Sequence, residues 1–321
     1  MARYCVGIDL GGSFIKVGLL REDRKALKPI DLPTPQQGAR SVADQMAAGA
    51  RKVMEVHGVS VNEVVGVGIG SPGPLRMSEG VIIATPNIPG MANVPIRDMI
   101  SKSLGLPAVL ENDANAAGYG EFICSGEEGL RDLVFLTLGT GVGGGVVIDG
   151  RVLHGAHEIG AELGHMLVAP GGELCNCGQR GCLERYSSAT FLSLRAQRMV
   201  EEGKPSRLKE VLRKKGKLDS KDINETRKAG DELAAKVWDE AAYYLGVACV
   251  NISRILDPDE IVLGGGLANA GDDILLPVRK HFAAMHWKIT EPLGRVELAR
   301  LGNDAGFIGA AGVAWLAFGN K

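Results

Sequence analysis

The sequence predicts an α/β protein built from two related halves. Three observations carry that expectation. Short apolar strands alternate with helical patterns along the whole chain, the layering of an α/β fold. A strand–glycine turn–strand unit occurs twice. The 321 residues, 45% of them apolar and 45 of them glycine, are enough for two domains with a large buried core and many tight backbone approaches.

In chain order, residues 6–10 form an apolar strand, Gly11-Gly12-Ser13 a turn and residues 14–20 a second strand, together a hairpin. A helical pattern covers 41–57. A strand over 64–70 ends in Ser71-Pro72-Gly73-Pro74. A loop over about 85–95 leads to a helix at 96–104 and a strand at 108–110. Glu111-Asn112-Asp113 comes next, with Asn112 or Asp113 placed to cap an alanine-rich helix. The hairpin pattern then returns: a strand at 134–138, a glycine turn at 139–145 and a strand at 146–148 closed by Asp149-Gly150. Setting Leu10-Gly11 against Leu138-Gly139 aligns the two units as an internal duplication, with the two domains facing one another across a cleft. Residues 204–228 mix Lys and Arg with Glu and Asp and lack aromatics, which reads as a solvated helical excursion and not a nucleic-acid surface. An apolar helix over 233–256, a strand over 260–263, Gly264-Gly265-Gly266 and a further helix follow. The last helix, after Gly306, is apolar and expected to pack back onto a domain.

Composition narrows the function classes. A net charge of −2 disfavours nucleic acid and anionic membranes as partners. No apolar run approaches the roughly 18 residues of a spanning helix, and the first ten residues lack a charged-then-apolar leader pattern, so the expected location is the cytoplasm. Of six cysteines, Cys5, Cys124 and Cys249 sit in apolar, core-like contexts. Cys175, Cys177 and Cys182 cluster, and with His165 they make the ligand set of a closed tetrahedral zinc site, a structural Zn²⁺. Glu162 and Glu184 bracket that set. Glu162 and His165, three residues apart, share one face of a helical turn; Glu158, one turn earlier, rivals Glu162. If one ring nitrogen of His165 holds zinc, the other is left as an N–H donor of fixed tautomer and direction.

Gly139 to Gly144 matches the spacing G-x-G-x-x-G, yet a strand follows it where a dinucleotide fingerprint requires a helix, and no Walker-type sequence exists. The turns at Gly11–Ser13 and Gly139–Gly141 instead offer backbone N–H groups and the hydroxyls of Ser13 and Thr140, an anion-binding arrangement without a cationic side chain. Asp9, next to the first turn, then calls for a cation between carboxylate and phosphate, assigned to Mg²⁺. Gly264–Gly266 fits a surface for a nucleotide base or ribose.

Taken together, Asp9-Leu-Gly-Gly-Ser13, Asn112-Asp113, Leu138-Gly-Thr-Gly141 and Gly264-Gly-Gly266 resemble the phosphate, sugar and adenosine motifs of the actin-like ATPase and sugar-kinase fold. The stretch from Leu136 through His165, followed by the knot from Cys175 to Cys182, resembles the ROK family (repressors, ORFs and kinases), and within it the glucokinases most of all. The resemblance spans essentially the whole chain. It implies two RNase H-like domains flanking a cleft: a small one over 1–112 with the helix of about 304–321 packed back onto it, and a larger one over 113–303 with the zinc site. It implies ATP- and Mg²⁺-dependent phosphorylation of a hexose at the 6-hydroxyl, D-glucose first, and N-acetylmannosamine, N-acetylglucosamine or fructose as alternatives. Asp113 would be the catalytic base. Asn87, Asn112, Asp113, Glu162, His165 and Glu184 would hold the sugar, and Asp9, Gly11, Gly12, Ser13, Thr140, Gly141, Gly265 and Gly266 the nucleotide. A homo-oligomer, dimer or tetramer, is implied as well.

The family also contains sugar-sensing repressors carrying a helix-turn-helix ahead of the ATPase-like part. Here the first strand is expected to begin by about Cys5, so no such motif is expected ahead of it. Two positions depart from the family pattern. Phe14 stands where many members have Lys, with Lys16 two residues on along the same strand face, and Met91 stands where Trp is common.

A sugar hydroxyl is a weak acid, so its attack on a γ-phosphate benefits from a carboxylate that accepts the proton. A helix N-terminus favours an anion, which would keep Asp113 ionised.

Overall fold

A computed structural model describes residues 2–85, 87–289 and 294–319. In chain order the elements are β1 (Tyr4–Leu10), β2 (Phe14–Arg21), β3 (Ile30–Pro33), α1 (Ala39–His57), β4 (Val64–Ser71), β5 (Leu75–Arg76), β6 (Val81–Ile82), α2 (Ile96–Leu104), β7 (Ala108–Asn112) and α3 (Asp113–Ile123). Then come β8 (Leu133–Leu138), β9 (Val142–Ile148), β10 (Arg151–Val152), α4 (Glu184–Ser187), α5 (Ala189–Glu201), α6 (Leu208–Lys215), α7 (Ser220–Lys228), α8 (Glu232–Ile255), β11 (Glu260–Gly264), α9 (Asp272–Met285), β12 (Arg295–Leu298) and α10 (Ala305–Phe318). The described residues divide into two units, one drawn from Met1–Leu130, Gly145–Ala161 and Arg300–Lys321, the other from Arg131–Gly144 and Glu162–Ala299.

In the first unit a five-stranded sheet has the order β3-β2-β1-β4-β7. Its β3-β2-β1 edge is antiparallel, and β4 and β7 add in parallel. Successive residues of a strand point to opposite faces, and the sequence uses this alternation. Val17 lies against Gly49 of α1, whereas a Cβ on its neighbour Gly18 would run into the Phe307 ring of α10. A Cβ on Gly7 or Gly68 would collide with the backbone carbonyls of Phe307 and Ala310. The strand glycines therefore let α10 lie with its backbone directly on the sheet, and β-propensity is given up for close approach. On the other face Ile8, Leu10, Ile15, Val17 and Leu19 bury against Met46, Ala50 and Val53 of α1 and Ile96 and Ile100 of α2, with Ile88 and Met91 from the intervening loop.

The sequence reading ended the first domain at 112. Helix α3 instead belongs to this unit, because its Ala116 carbonyl occupies the space a Cβ on Gly309 of α10 would need, so the two helices share one small-residue seam. The described part of α10 packs on β1, β2, β4 and α3.

The second sheet has the order β10-β9-β8-β11-β12. Numbered along each repeat, both sheets read third-second-first-fourth-fifth, again with an antiparallel outer pair and two parallel additions. The internal duplication is thus present in topology, and each half has the RNase H-like arrangement of the actin-like ATPase fold. Against the second sheet's unit, α8 packs on α4, α5, α7 and α9, with Trp238 buried and its Nε1 donating to the Asp273 carbonyl (2.8 Å). Helices α6 and α7 are the charged excursion: Leu208 and Ile223 turn inward while Lys215 pairs with Asp222, and Arg227 and Lys228 pair with Asp273. Among the described residues no helix is long and apolar enough to cross a membrane.

Candidate functional site

In the first unit the site begins at two strand ends. Asp9 is the penultimate residue of β1, and a Cβ on Gly306 in the first turn of α10 would press into its carboxylate, so the carboxylate lies against that helix start. Desolvation, then the charge of Asp113, push its pKa up to about 7, with Lys16 opposing. Lys16 itself is committed to Asp304 (2.8 Å), with Asp31 at 3.9 Å. The turn after β1 is braced from outside. Gly11 N–H donates to the Phe14 carbonyl (3.0 Å), Thr34 Oγ1 to the Gly11 carbonyl (2.7 Å) and Thr34 N–H to the Ser13 carbonyl (2.9 Å). Asn87 is exposed with its Cβ beside Gly12, so this loop residue does meet the first glycine turn.

Strand β7 delivers Asn112, and Asn112 is the cap of α3. Its Oδ1 accepts from Ala114 N–H (2.9 Å) and Asn115 N–H (3.1 Å). Asp113 is therefore the first helical residue and not the cap, with one oxygen on Ala114 N–H (2.8 Å). The sequence reading expected the helix dipole to keep Asp113 ionised. Desolvation holds the Asp113 pKa above the ordinary carboxylate value, with the backbone donors opposing. Glu158, the rival of Glu162, is already engaged, its carboxylate accepting from Met77 N–H (2.7 Å) and Ser78 N–H (3.0 Å).

In the second unit Glu162 precedes a 3₁₀ turn, Leu163–His165, whose geometry stacks residues three apart on one face. The ligand atoms of His165, Cys175, Cys177 and Cys182 all lie within 4.8 Å of one another. Cys177 Sγ and Cys182 Sγ are 3.7 Å apart, and His165 Nδ1 is 3.8 Å from Cys175 Sγ. Zinc–sulfur bonds of about 2.3 Å at tetrahedral angles imply a sulfur–sulfur separation of about 3.8 Å, so this donor set fits zinc. Gln179 ties the loop together, its Nε2 donating to the His165 carbonyl (2.8 Å) and lying 3.2 Å from Cys182 Sγ. Because Nδ1 faces the sulfurs, Nε2 is the ring atom left outside the set.

Glu184 opens α4, and its Oε2 accepts from Val142 N–H (2.9 Å) just beyond the second glycine turn. A Cβ on Gly141 would run into that carboxylate, which explains the glycine. Gly139 N–H closes the turn on the Gly141 carbonyl (2.9 Å), and Thr140 is exposed. Gly265, at φ 83°, sits against the backbone of Leu138, and the space beside Gly266 is open.

One expectation changes. Cys124 is not a core residue: it caps the end of α3 half-exposed, unlike Cys5 and Cys249, which are fully buried. Met91 is 2% exposed within the first unit's core, so its side chain lines no open surface. Two groups beside the corner escaped the sequence reading, Glu111 and His154, 2.7 Å apart. A carboxylate ahead of Asn-Asp at a strand end was the one available signal, and nothing in the sequence tied it to His154.

Comparison with known proteins decides the family. The model of the ROK family matches residues 5–317. The chain belongs to the ROK family. It is 38% identical over 316 residues to a glucokinase of Halalkalibacterium halodurans, covering 98% of this chain and 94% of that one. A glucokinase of Thermotoga maritima is 36% identical, with 96% of each chain covered. An N-acetylmannosamine kinase of Citrobacter koseri is 29% identical over 95% of this chain and 97% of its own length. Among solved structures, a ROK hexokinase from Thermus thermophilus aligns at TM-score 0.84 and 34% identity, covering 99% of this chain and 100% of that one. A ROK family glucokinase from Streptomyces griseus, in complex with glucose and AMPPNP, aligns at TM-score 0.79 and 32% identity, covering 98% and 99%. This ROK family member is an enzyme of the sugar-kinase class.

Proposed function

We propose that the chain transfers the γ-phosphoryl group of ATP to the 6-hydroxyl of a hexose, D-glucose first. The observation that carries the reading is the division of labour at the head of α3. Asn112 caps the helix, which leaves the neighbouring carboxylate, desolvated and raised in pKa, available as a proton acceptor. A carboxylate with a raised pKa is a stronger acceptor for a hydroxyl proton than an ordinary one. In the step proposed, Asp113 takes the O6 proton as the O6–Pγ bond forms and the bond from Pγ to the bridging oxygen of ADP breaks.

Asn87, Asn112, Asp113, Glu162, His165 and Glu184 are assigned to the sugar hydroxyls. His165 would donate from Nε2, its direction fixed if Nδ1 holds zinc. Asp9, Gly11, Gly12, Ser13, Thr140, Gly141, Gly265 and Gly266 are assigned to the nucleotide. Asp9, raised to about 7 by burial and by a neighbouring carboxylate, is assigned to a divalent cation, which when bound would neutralise phosphate charge. The zinc is structural.

A second reading keeps the chemistry and changes the sugar, and the 29% identity to an N-acetylmannosamine kinase favours testing it. An ADP-release assay with ATP, Mg²⁺ and a panel of hexoses and N-acetylhexosamines decides between them. Glucose-dependent turnover supports the first reading; turnover confined to an N-acetylhexosamine supports the second. Silence across the panel overturns both.

A further inference from the structure

We propose that Glu111 and His154 are positioning residues for the Asn112–Asp113 corner: the Glu111 carboxylate takes His154 Nε2 on one oxygen (2.7 Å) and, on the other, the Asn112 N–H (2.9 Å) and Asn115 Nδ2 (3.0 Å). The inference rests on the sugar-kinase reading and extends it to residues that touch neither sugar nor nucleotide in that reading.

Glu111 is 1% exposed. A buried carboxylate is tolerated when it is paired and its lone pairs are used, and this one has three donors. Those donors are not spread at random. One is the backbone of the capping residue Asn112, and another is the side chain of Asn115, the residue whose N–H the cap receives. Asn115 Oδ1 is left buried with no partner, so its amide is oriented by Glu111 alone; the flipped amide would set oxygen against carboxylate. Glu111 thus fixes both sides of the turn that presents Asp113.

His154 supplies the third donor from a segment far along the chain. That segment is itself pinned: Gly160 N–H donates to the His154 carbonyl (2.9 Å), and Glu158 binds the amides of Met77 and Ser78. The charged groups facing His154 are Glu111 from β7 and Glu158 from its own segment, and both favour imidazolium. The hydrogen bond to Glu111 is the main reason its pKa stands above the ordinary histidine value, with burial opposing. The sign follows. The charged pair is complete below the unfolded histidine value of about 6.5 and is lost as pH rises through the raised folded value. The neutral ring keeps a hydrogen bond but not the charge.

The test uses the full chain in three variants, His154→Gln, Glu111→Gln and the double variant, with kcat, KM and pH profiles on the best sugar of the panel. Expected is a kcat loss of about tenfold in each single variant, with KM for ATP nearly unchanged. The double variant should be no worse than the weaker single one, since both remove one coupling. The alkaline decline of kcat should flatten in His154→Gln. Proton-detected imidazole titration should show the His154 midpoint falling toward the ordinary value in Glu111→Gln, a readout independent of turnover. An active wild type whose His154→Gln variant keeps both kcat and pH profile overturns the proposal, as does a His154 midpoint indifferent to Glu111→Gln. A wild type silent on every sugar overturns the sugar-kinase reading and the positioning role with it, so the two failures are told apart.

Discussion

Asp113 illustrates how neighbouring residues set one side chain's chemistry. Asn112 satisfies the first amides of α3, and desolvation holds the Asp113 pKa above the ordinary carboxylate value. Two consequences follow for Asp113→Asn. Turnover should drop by roughly 10²–10⁴, the usual contribution of a general base, with sugar affinity largely kept. Near-wild-type kcat would remove Asp113 from the mechanism. The same variant should melt higher than wild type at neutral pH, because a carboxyl with a raised folded pKa stabilises the protein only while protonated and costs stability as pH rises through that value. Thermal melts at pH 5 and pH 8 check the sign: the gap should widen at the higher pH. In wild type, kcat should fall as pH is lowered through the raised Asp113 value, giving an acid limb above the ordinary carboxylate range. This residue's importance was legible in the sequence, but its electrostatics were not. Capping and dipole rules act within a few residues, whereas desolvation depends on what the rest of the unit packs around the corner.

Elements with strong local signals are legible in the sequence: the helix at 96–104 matches α2 residue for residue, and both hairpins fall where glycine turns interrupt apolar runs. β12 escaped, because Arg295-Val296-Glu297-Leu298 is short and half polar, and its register comes from parallel pairing with β11. The strand glycines of β1, β2 and β4 were noted only as a composition, yet they set how α10 meets the sheet. Gly68→Ala tests that element-level role. Its new methyl would overlap the Ala310 carbonyl, so α10 must lift from the sheet, and the expected loss is about 3 kcal/mol. Urea unfolding with an unchanged midpoint would show the helix free to shift.

At the scale of the whole molecule, the repeated sheet order confirms the duplication inferred from two short turns, while Glu111 and His154, far apart in sequence, needed the fold to bring them together. The Cys₃His cluster was the reverse case, four donors close enough in sequence to be read directly. Removing a zinc ion held there should be felt beyond the loop, since structural zinc contributes folding free energy. Cys177→Ser, or chelation of wild type, should cost metal content, lower Tm by several degrees and weaken glucose binding measured calorimetrically. A metal-free sample that binds glucose as before would limit the zinc to local stability.

The seat of α10 on the first sheet also has a consequence for how the protein is made. Strands β1, β2 and β4 leave the ribosome early, but the helix that covers their glycine face is translated only after the chain of the second unit. Throughout that interval the nascent first unit carries an uncovered apolar sheet face. A chain ended before Ala305 would therefore lack the helix that covers this sheet face.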